Sequence, residues 1–584
     1  MKGFFNRLLR IDLTRRQFSY DTLADSVLEC TLGGKGLGSY LLMKENPAGV
    51  DPFSPANRFI IAVGPVTGTR MWSQSRFAVF SKSPATGGYG ESYCGGSVAP
   101  KIKACGVDAI IIHGQCDRLT SLLIDENGVT FKNAAALQGA DTVVTEETLL
   151  RDAPEGAGAI MIGPAGENRV AFACIKSDRW RSLGRGGMGA VLGAKHLKGV
   201  VFCGQQTCAI ADNALLKKVI MDVAKMGQAS PATERYRKLG TPMQVAMTNS
   251  QKCFPTRYWQ SGVFEKWKNL SAGYMQKHFE VTAHGCPNCF LKCTKLSTIK
   301  AGRHQGLQIE GPEYETIFAL GGLNAIDSLE EVAWLNDICD RLGLDTMSAG
   351  NISSFAVEAY KAGQSNFAID YNQPDRAAEL FGLIARGEGV GQVFGQGIKV
   401  TASTLGLEDM AIHVKGLEPA GFDPRVLKGM GLSYATSARG ACHLRGTFYK
   451  AELSGEIDCN QIKGKAAVHI DYEDRAALVD SLILCRFFRD FTLWPQIREL
   501  IQATTGLALD KRRLELLANA TTERTRAYNR REGLSSATDT LPRRFFKEKT
   551  EEGIGITEDE LKTMIAEYNA IRTQRLTEYS WEVP

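Results

Sequence analysis

Arg58-Phe59-Ile60-Ile61-Ala62-Val63, closed by Gly64-Pro65, and Asp108-Ala109-Ile110-Ile111-Ile112-His113, closed by Gly114, are apolar runs ended by turn formers. Bounded in this way they read as strands. The same pattern recurs at Arg76 to Ser81, Ala159 to Gly163 and Val170 to Lys176, and the alternating Leu9, Ile11, Leu13 reads as a first strand ending near Thr14. A β-rich segment therefore fills roughly the first 210 residues. From Asp212, itself a helix cap, the apolar period becomes helical. Ser328 and Glu331 form a capping-box pattern that opens a helix running to Gly343, a C-terminal stop. Asp375 to Phe488 reads as mainly helical, with an amphipathic stretch from Glu473 to Phe487 that puts Asp480 and Cys485 on one helix. From about Arg512 the chain is polar and helical, broken by a turn at Asp539-Thr540-Leu541-Pro542. The fold class is α+β, a β-rich base followed by mostly helical material.

At 584 residues the chain is long enough for several domains and a large core. With 44% hydrophobic and 23% charged residues it has the composition of an ordinary globular protein. No apolar run approaches the ~20 residues of a membrane span. Met1 to Asp12 has neither the apolar core nor the small-residue cleavage site of a signal peptide, so a cytoplasmic protein is expected. A net charge of +5, scattered apart from short clusters such as Lys511-Arg512-Arg513, reads as solvated surface and not as a nucleic-acid footprint. There are no low-complexity tracts and no internal repeats.

Fifteen cysteines in a chain this long are not a secreted disulfide framework. Most, such as Cys174, Cys203 and Cys339, sit singly in apolar segments, as buried thiols do. Cys286-Pro287-Asn288-Cys289, followed by Cys293 and opened by His284-Gly285, is different. Three thiolates this close converge on a metal centre more readily than they form disulfides. A zinc site wants a fourth ligand, often from a second paired motif, and none follows. An iron–sulfur cluster takes four thiolates, one of which can lie far along the chain, and Cys485 is the candidate. Spacing favours iron–sulfur over zinc, and leaves both open.

Gly184-Arg185-Gly186-Gly187-Met188-Gly189 matches a dinucleotide-binding glycine pattern, but Ser177 to Leu183 separates it from the preceding strand. The next acidic residue is the helix cap Asp212, so the context that pattern needs is missing. What remains is a glycine turn flanked by Arg181 and Arg185. Glycines let backbone N–H groups approach an anion, and guanidinium forks pair with phosphates. Arg76 and the turn Tyr93-Cys94-Gly95-Gly96 offer a second such edge.

Together these segments resemble the aldehyde ferredoxin oxidoreductase family along nearly the whole chain. The similarity runs through Gly33 to Gly38, Gly64-Pro65-Val66-Thr67-Gly68, Arg181 to Val191 and Pro255-Thr256-Arg257. It continues through Glu310-Gly311-Pro312-Glu313-Tyr314-Glu315-Thr316, Asp340 to Asp345 and Tyr434 to Leu444. The resemblance implies one tungsten held by two pyranopterins of the molybdopterin type, beside a [4Fe–4S] cluster. Molybdenum in place of tungsten is not excluded by anything in the sequence. It implies a β-rich pterin-binding base at 1–210, a helical domain with the cysteine loop at 211–415, and a helical C-terminal domain at 416–584. Carried over by position, Cys286, Cys289, Cys293 and Cys485 ligate the cluster. Arg76, Gly95, Arg181, Ser182, Gly184 and Arg185 surround the pterin phosphates. Asp340, Leu344 and Asp345 take one pterin, and Asp480, Leu484 and Arg486 the other, with Arg439 and Arg445 in the same motif. Tyr93 and Cys94 stand where the family has Asn and Ser, and Arg445 where it has Lys. Tyr93 would still serve through its main-chain carbonyl, to a Mg2+ bridging the phosphates. No Glu-x-x-His pair for an interface iron is present.

The implied reaction takes an aldehyde and water to a carboxylate, with electrons passing through the cluster to ferredoxin or a ferredoxin-like iron–sulfur subunit. Glu315 is the expected general base, with Glu313 as fallback, because a carboxylate in a closed pocket has a raised pKa. His443 is the expected hydrogen-bond donor to the substrate oxygen. A family branch running low-potential reduction, for example of an aryl-thioester, is the alternative, to which Tyr93, Cys94 and Cys253-Phe254 lend some support. An electron-relay subunit with a structural cluster is the non-enzymatic reading. Which aldehyde is used is not legible, and a homodimer is compatible with the chain without any visible interface.

Overall fold

A computed structural model describes residues 1–577; residues 578–584, the end of the segment 416–584, lie outside the described residues. The β-rich base holds two six-stranded mixed sheets. The first takes β1 (Arg7–Asp12), β2 (Gln17–Thr22), β3 (Phe59–Ala62), β4 (Phe77–Lys82), β5 (Tyr89–Cys94) and β6 (Ala109–His113), in the order β2-β1-β6-β3-β4-β5. The second takes β7 (Thr120–Ile124), β8 (Val129–Asn133), β9 (Gly158–Met161), β10 (Ile175–Ser177), β11 (Arg181–Leu183) and β12 (Leu197–Phe202), in the order β11-β10-β9-β12-β7-β8. The runs quoted above are apolar without alternation because β3, β4 and β6 are covered on both faces. Ile61, Val79 and Ile110 meet Ile160, Val200 and Phe202 of the second sheet, whereas Ile60, Phe80 and Ile111 meet Leu37 and Leu41 of the helix Gly34–Glu45.

Of the expected strand Val170 to Lys176 only its end forms one, as β10. The Ala171 and Cys174 N–H groups go instead to the carbonyls of Gly395 and Gly343, each at 2.8 Å, which draws this stretch out of the sheet and onto the helical part.

Asp212 caps the helix Asn213–Ala229, its carboxylate accepting the Leu215 N–H at 2.9 Å. Ser328 caps Leu329–Leu342, which ends at Gly343 in the left-handed conformation. Two further features depart from expectation. A third, three-stranded sheet lies within the part read as helical: β13 (Phe279–His284), β14 (Thr294–Ile299) and β15 (Gln308–Glu310). Exposure alternates along β13, where Phe279, Val281 and Ala283 are more buried than Glu280, Thr282 and His284, the signature of a half-covered sheet. Second, Asp480 and Cys485 do not share a helix. Lys465–Ser481 ends before Cys485: Ile483 takes a left-handed φ of 58°, and the Cys485 N–H goes to the Ser73 carbonyl at 3.1 Å. The base thereby takes hold of the chain just past that helix. Gly34, at φ +36°, lets the helix Gly34–Glu45 press against the same point, for a Cβ there would stand 2.3 Å from the Asp480 carbonyl oxygen.

Candidate active site

β13 and β14 pair as far as His284 with Thr294, and the loop between them carries Cys286, Cys289 and Cys293. The Cys286 Sγ accepts the Gly96 N–H at 3.2 Å, and a Cβ on Gly95 would sit 3.0 Å from that sulfur. Glycine at this position is what lets the loop lie on the end of β5. Cys485 arrives from the far side, its Sγ 3.6 Å from Arg76 Nη1. Burial, and then the charge of Cys485, pushes the Cys289 thiol up to about 11, and Cys293 is raised by burial and by all three other thiols. The four cysteines therefore face one region, joined by Arg76 and, through Cys286 and Cys293, by Arg181. Among the described residues no three His, Cys, Asp or Glu side chains gather as the ligands of one ion. Four thiols spread round a common space suit a cluster in which each iron takes its own thiolate.

Behind them is a buried charge network. The Asp480 carboxylate accepts Arg486 Nε at 2.9 Å and Arg445 Nη1 on its other oxygen. Arg445 Nη1 also reaches Glu91 Oε1 at 3.1 Å, as does Lys35 Nζ, and Arg439 Nη1 donates to the Glu91 carbonyl at 2.8 Å. The Arg445 guanidinium lies 4.5 Å over the Tyr93 ring, and the Tyr93 hydroxyl donates to Glu91 Oε2 at 2.8 Å. Tyr93 is thus turned into the network by its side chain. Burial raises the Asp480 carboxyl, but Arg445 and Arg486 outweigh it and hold the group below the usual range. Lys35, Arg439, Arg445 and Arg486 are opposed by Glu91 and Asp480, all buried. Arg439 Nε and Arg445 Nε have no partner. Uncompensated buried cations cost several kcal/mol each in the absence of an anion, so this donor set fits an anionic group. Leu484 packs into the apolar cluster beside it.

A cleft of about 140 Å³ opens between the base and the helical part, with Ser182, Gly184, Glu313, Asp340, Leu344 and Asp345 among its walls. A Cβ on Gly184 would meet nothing within 4 Å, so this glycine borders open space. Asp340 accepts Lys176 Nζ at 2.5 Å and Asn336 Nδ2 at 2.9 Å, and Lys176 also donates to Ser182 Oγ at 2.6 Å. Asp345 caps the helix Thr346–Lys361 through the Met347 N–H. Arg181 points to Glu310 and the cysteine loop. Arg185 does not join it: its partners are Asp345, Glu418 and Ala441. The glycine turn is also placed differently from the sequence expectation, since β11 runs directly into Gly184 and the helix Met188–Ala194 follows. The dinucleotide reading still fails, because three successive antiparallel pairings leave β11 antiparallel to β12, where a βαβ unit needs parallel strands.

Glu315 stands on a single helical turn, Tyr314–Thr316, that widens into a π-helical turn over Ile317–Gly322, a distortion frequent at functional sites. Its Oε2 accepts the Gly421 N–H at 2.9 Å, and its Oε1 lies 3.4 Å from His443 Nε2. Only 18% and 12% of the two side chains is exposed, and neither Glu315 Oε1 nor His443 Nδ1 has a hydrogen-bond partner. Burial pushes the Glu315 carboxyl up to about 8, against the pull of the Gly421 N–H and of Arg185. Burial, then Arg439 and Arg185, pushes His443 well below its ordinary value. At neutral pH the pair is a protonated acid beside a neutral imidazole. Phe422 and Tyr449, stacked at 4.1 Å, flank the imidazole at 6.1 and 6.3 Å. Glu313 faces away from the pair, accepting the Thr241 hydroxyl on the Cys293 side, so the two carboxylates of Glu-Tyr-Glu serve different spaces. The sequence reading missed Lys35, Glu91, Lys176, Glu418 and Gly421. Each lies in a strand, a helix start or a loop with no distinguishing spacing, and only the fold gathers them.

Two family models divide the chain between them: aldehyde ferredoxin oxidoreductase, N-terminal domain, matches residues 8–204, and domains 2 and 3 of the same family match 218–573. The chain belongs to the aldehyde ferredoxin oxidoreductase family, and so to the oxidoreductases. It is 32% identical to the tungsten-containing aldehyde ferredoxin oxidoreductase of Pyrococcus furiosus, over 98% of this chain and 96% of that one. It is 28% identical to the aliphatic sulfonate oxidoreductase, WOR-like subunit, of the same organism, over 76% and 75%. Among solved structures, the active-site complex BamBC of benzoyl coenzyme A reductase with 1,5-dienoyl-CoA has the same fold, with a TM-score of 0.83 at 22% identity over 98% of this chain and 94% of that one. No helix of the described residues is long and apolar enough to cross a membrane.

Proposed function

We propose that this protein oxidises an aldehyde to the carboxylate (RCHO + H2O → RCOO⁻ + 3H⁺ + 2e⁻) and delivers the electrons to ferredoxin or a ferredoxin-like iron–sulfur protein. The observation that carries this reading is the Glu315–His443 pair, an acid near 8 and a neutral imidazole with one free atom each. Cys286, Cys289, Cys293 and Cys485 would hold a [4Fe–4S] cluster. Asp340, Leu344 and Asp345 would take one pyranopterin, and Asp480, Leu484, Arg486, Arg439 and Arg445 the other. Arg76, Gly95, Arg181, Ser182, Gly184 and Arg185 would meet their phosphates, with the Tyr93 carbonyl toward a Mg2+ ion. The bound tungsten would supply the two-electron redox chemistry, which no side chain of this protein can.

The chain's own residues do the rest. The neutral His443 donates one N–H to the aldehyde oxygen, which orients the carbonyl carbon toward Glu315. The ionised Glu315 accepts at Oε1 a proton from the water that adds to that carbon, while the Gly421 N–H keeps Oε2 fixed. General base catalysis of this kind is worth about 10²–10⁴-fold. The packed rings of Phe422 and Tyr449 keep bulk water off the pair. Glu315→Gln and His443→Phe, purified without oxygen and assayed with an aldehyde panel and a viologen dye, should lose at least about 100-fold in kcat while keeping parental tungsten and iron. Parental turnover in either fully loaded variant removes that residue from the mechanism.

A further inference from the structure

We propose, on the reading of the cysteine loop as the seat of a cluster that passes electrons on, that the basic rim around this loop is the docking face for an acidic iron–sulfur protein. The loop lies at the surface: Pro287 and Asn288 at its tip are exposed, and Cys286, Cys289 and Cys293 are only partly buried. Two other segments are fastened to it through Phe290. The Trp72 ring meets the Phe290 ring edge-on at 5.3 Å, and Arg237, on the helix Pro231–Leu239, donates from Nη2 to the Phe290 carbonyl at 3.0 Å. Lys295 Nζ donates to the Tyr236 carbonyl at 2.9 Å and to that of Cys293 at 3.3 Å, which binds the same helix to the end of the loop.

These three segments carry one sign of charge. In 68–74, 231–239 and 285–293 the exposed charged side chains are Arg70, Arg235, Arg237, Lys238 and Lys292 against Glu234 alone. Glu234 is itself engaged by Arg237 at 3.4 Å. Beyond this rim, the exposed Glu280 of β13 is matched by the exposed Lys277. Over the whole chain 69 basic residues nearly balance 64 acidic ones, so the excess is local. The cations are scattered in sequence, and Phe290 is where the fold collects them. A surface of one sign raises encounter with a partner of the opposite sign by about 10- to 1,000-fold at low salt. The gain is mainly in association rate and fades as salt screens it. That suits an electron carrier, which has to arrive, exchange and leave in each turnover. Exposed charge pairs are individually weak, so they speed arrival without fixing a long-lived complex.

The test uses two triple variants of the holoprotein. The rim variant is Arg70→Glu with Arg235→Glu and Lys238→Glu. The control is Arg118→Glu with Lys399→Glu and Lys463→Glu, three exposed cations outside these segments. Arg237 is kept because it holds the Phe290 carbonyl, and Lys292 because it adjoins Cys293. The readouts are iron per chain, aldehyde turnover with saturating viologen dye and with an acidic ferredoxin, and calorimetric binding of the oxidised ferredoxin, at about 0.05 and 0.5 M salt. Expected are parental iron and viologen turnover in both variants. In the rim variant alone, ferredoxin binding and kcat/KM should fall about 10-fold or more at low salt, and the parent should approach it at high salt. Parental ferredoxin kcat/KM in the rim variant, or an equal fall in the control, overturns the docking face. Where the rim variant does not fold or loses iron, the parent decides: ferredoxin kcat/KM independent of salt counts equally against it. A parent active with viologen whose ferredoxin turnover ignores the rim charges keeps the proposed function and loses only this face. A fully loaded parent inert with every aldehyde discards the proposed function, and the binding measurement then still reads the face.

Discussion

Gly34→Ala should damage the site from outside it. The added methyl carbon would lie 2.3 Å from the Asp480 carbonyl oxygen, 2.6 Å from that of Ser481 and 2.7 Å from Ile483 Cγ1, at a backbone φ of +36°. All three atoms belong to the turn that ends the helix Lys465–Ser481, and the two nearest are backbone oxygens, which cannot swing aside as the end of a side chain can. The left-handed conformation costs about 1–2 kcal/mol for a residue with a Cβ, and overpacking a filled contact costs about 1–3 kcal/mol more. The sum, about 2–5 kcal/mol, is a sizeable part of the ~5–15 kcal/mol that holds a domain together. Relief comes only by moving residues 480–485, and with them Asp480 and Cys485. The assay is iron and tungsten per chain together with the thermal transition, with Gly49→Ala as control. Gly49 has φ +69° and nothing within 4 Å of its Cβ, so it carries the conformational cost alone. We expect Gly34→Ala to melt at least about 4 °C below the parent, taking 2–4 °C per kcal/mol, and to hold less than half the parental metal. Metal content and melting equal to those of Gly49→Ala would refute the reasoning that this contact positions the site.

The other predictions are simpler. Because the Glu315 carboxyl is raised to about 8 and the base is its ionised form, kcat/KM should climb about tenfold per pH unit well below 8 and level off above 9; a profile flat between pH 6 and 9 contradicts the assignment. Cys485→Ser should lower iron per chain to less than half while leaving the secondary structure by circular dichroism unchanged; parental iron would remove Cys485 from the ligand set.

Much of the base was legible because its strands are short apolar runs ended by glycine and proline, and because Asp212, Ser328 and Gly343 carry their capping chemistry in their own side chains or lack of one. Legibility failed where the decisive partner was distant. Val170 to Cys174 has a strand's composition, but its N–H groups are claimed by Gly343 and Gly395. Glu473 to Phe487 keeps a helical period past Ser481, yet the Ser73 carbonyl and the left-handed Ile483 end the helix there. The third sheet was hidden by its setting among helices. Within the site, the Glu-Tyr-Glu spacing offers Glu313 as a fallback to Glu315, and only the fold shows that Glu313 turns toward Thr241. Arg185 reads as a phosphate ligand because a glycine turn surrounds it, and only the fold shows that its guanidinium also meets Glu418 and Ala441, both more than two hundred residues away.

With the four thiols as ligands of the cluster proposed above, their arrangement also sets an order of events. Three thiols sit on one hairpin loop, which can form early and locally, whereas the fourth lies about 190 residues further on, behind a helix that must first dock on the base. A half-made protein can offer iron three sulfurs but not the complete set. Finished clusters should therefore accumulate only in chains already closed, and a cluster once seated would act as a bolt across the two ends of that long loop. Stripping the iron would then loosen residues 480–485 before it loosens the hairpin, so proteases should cut the apoprotein first at residues 480–485.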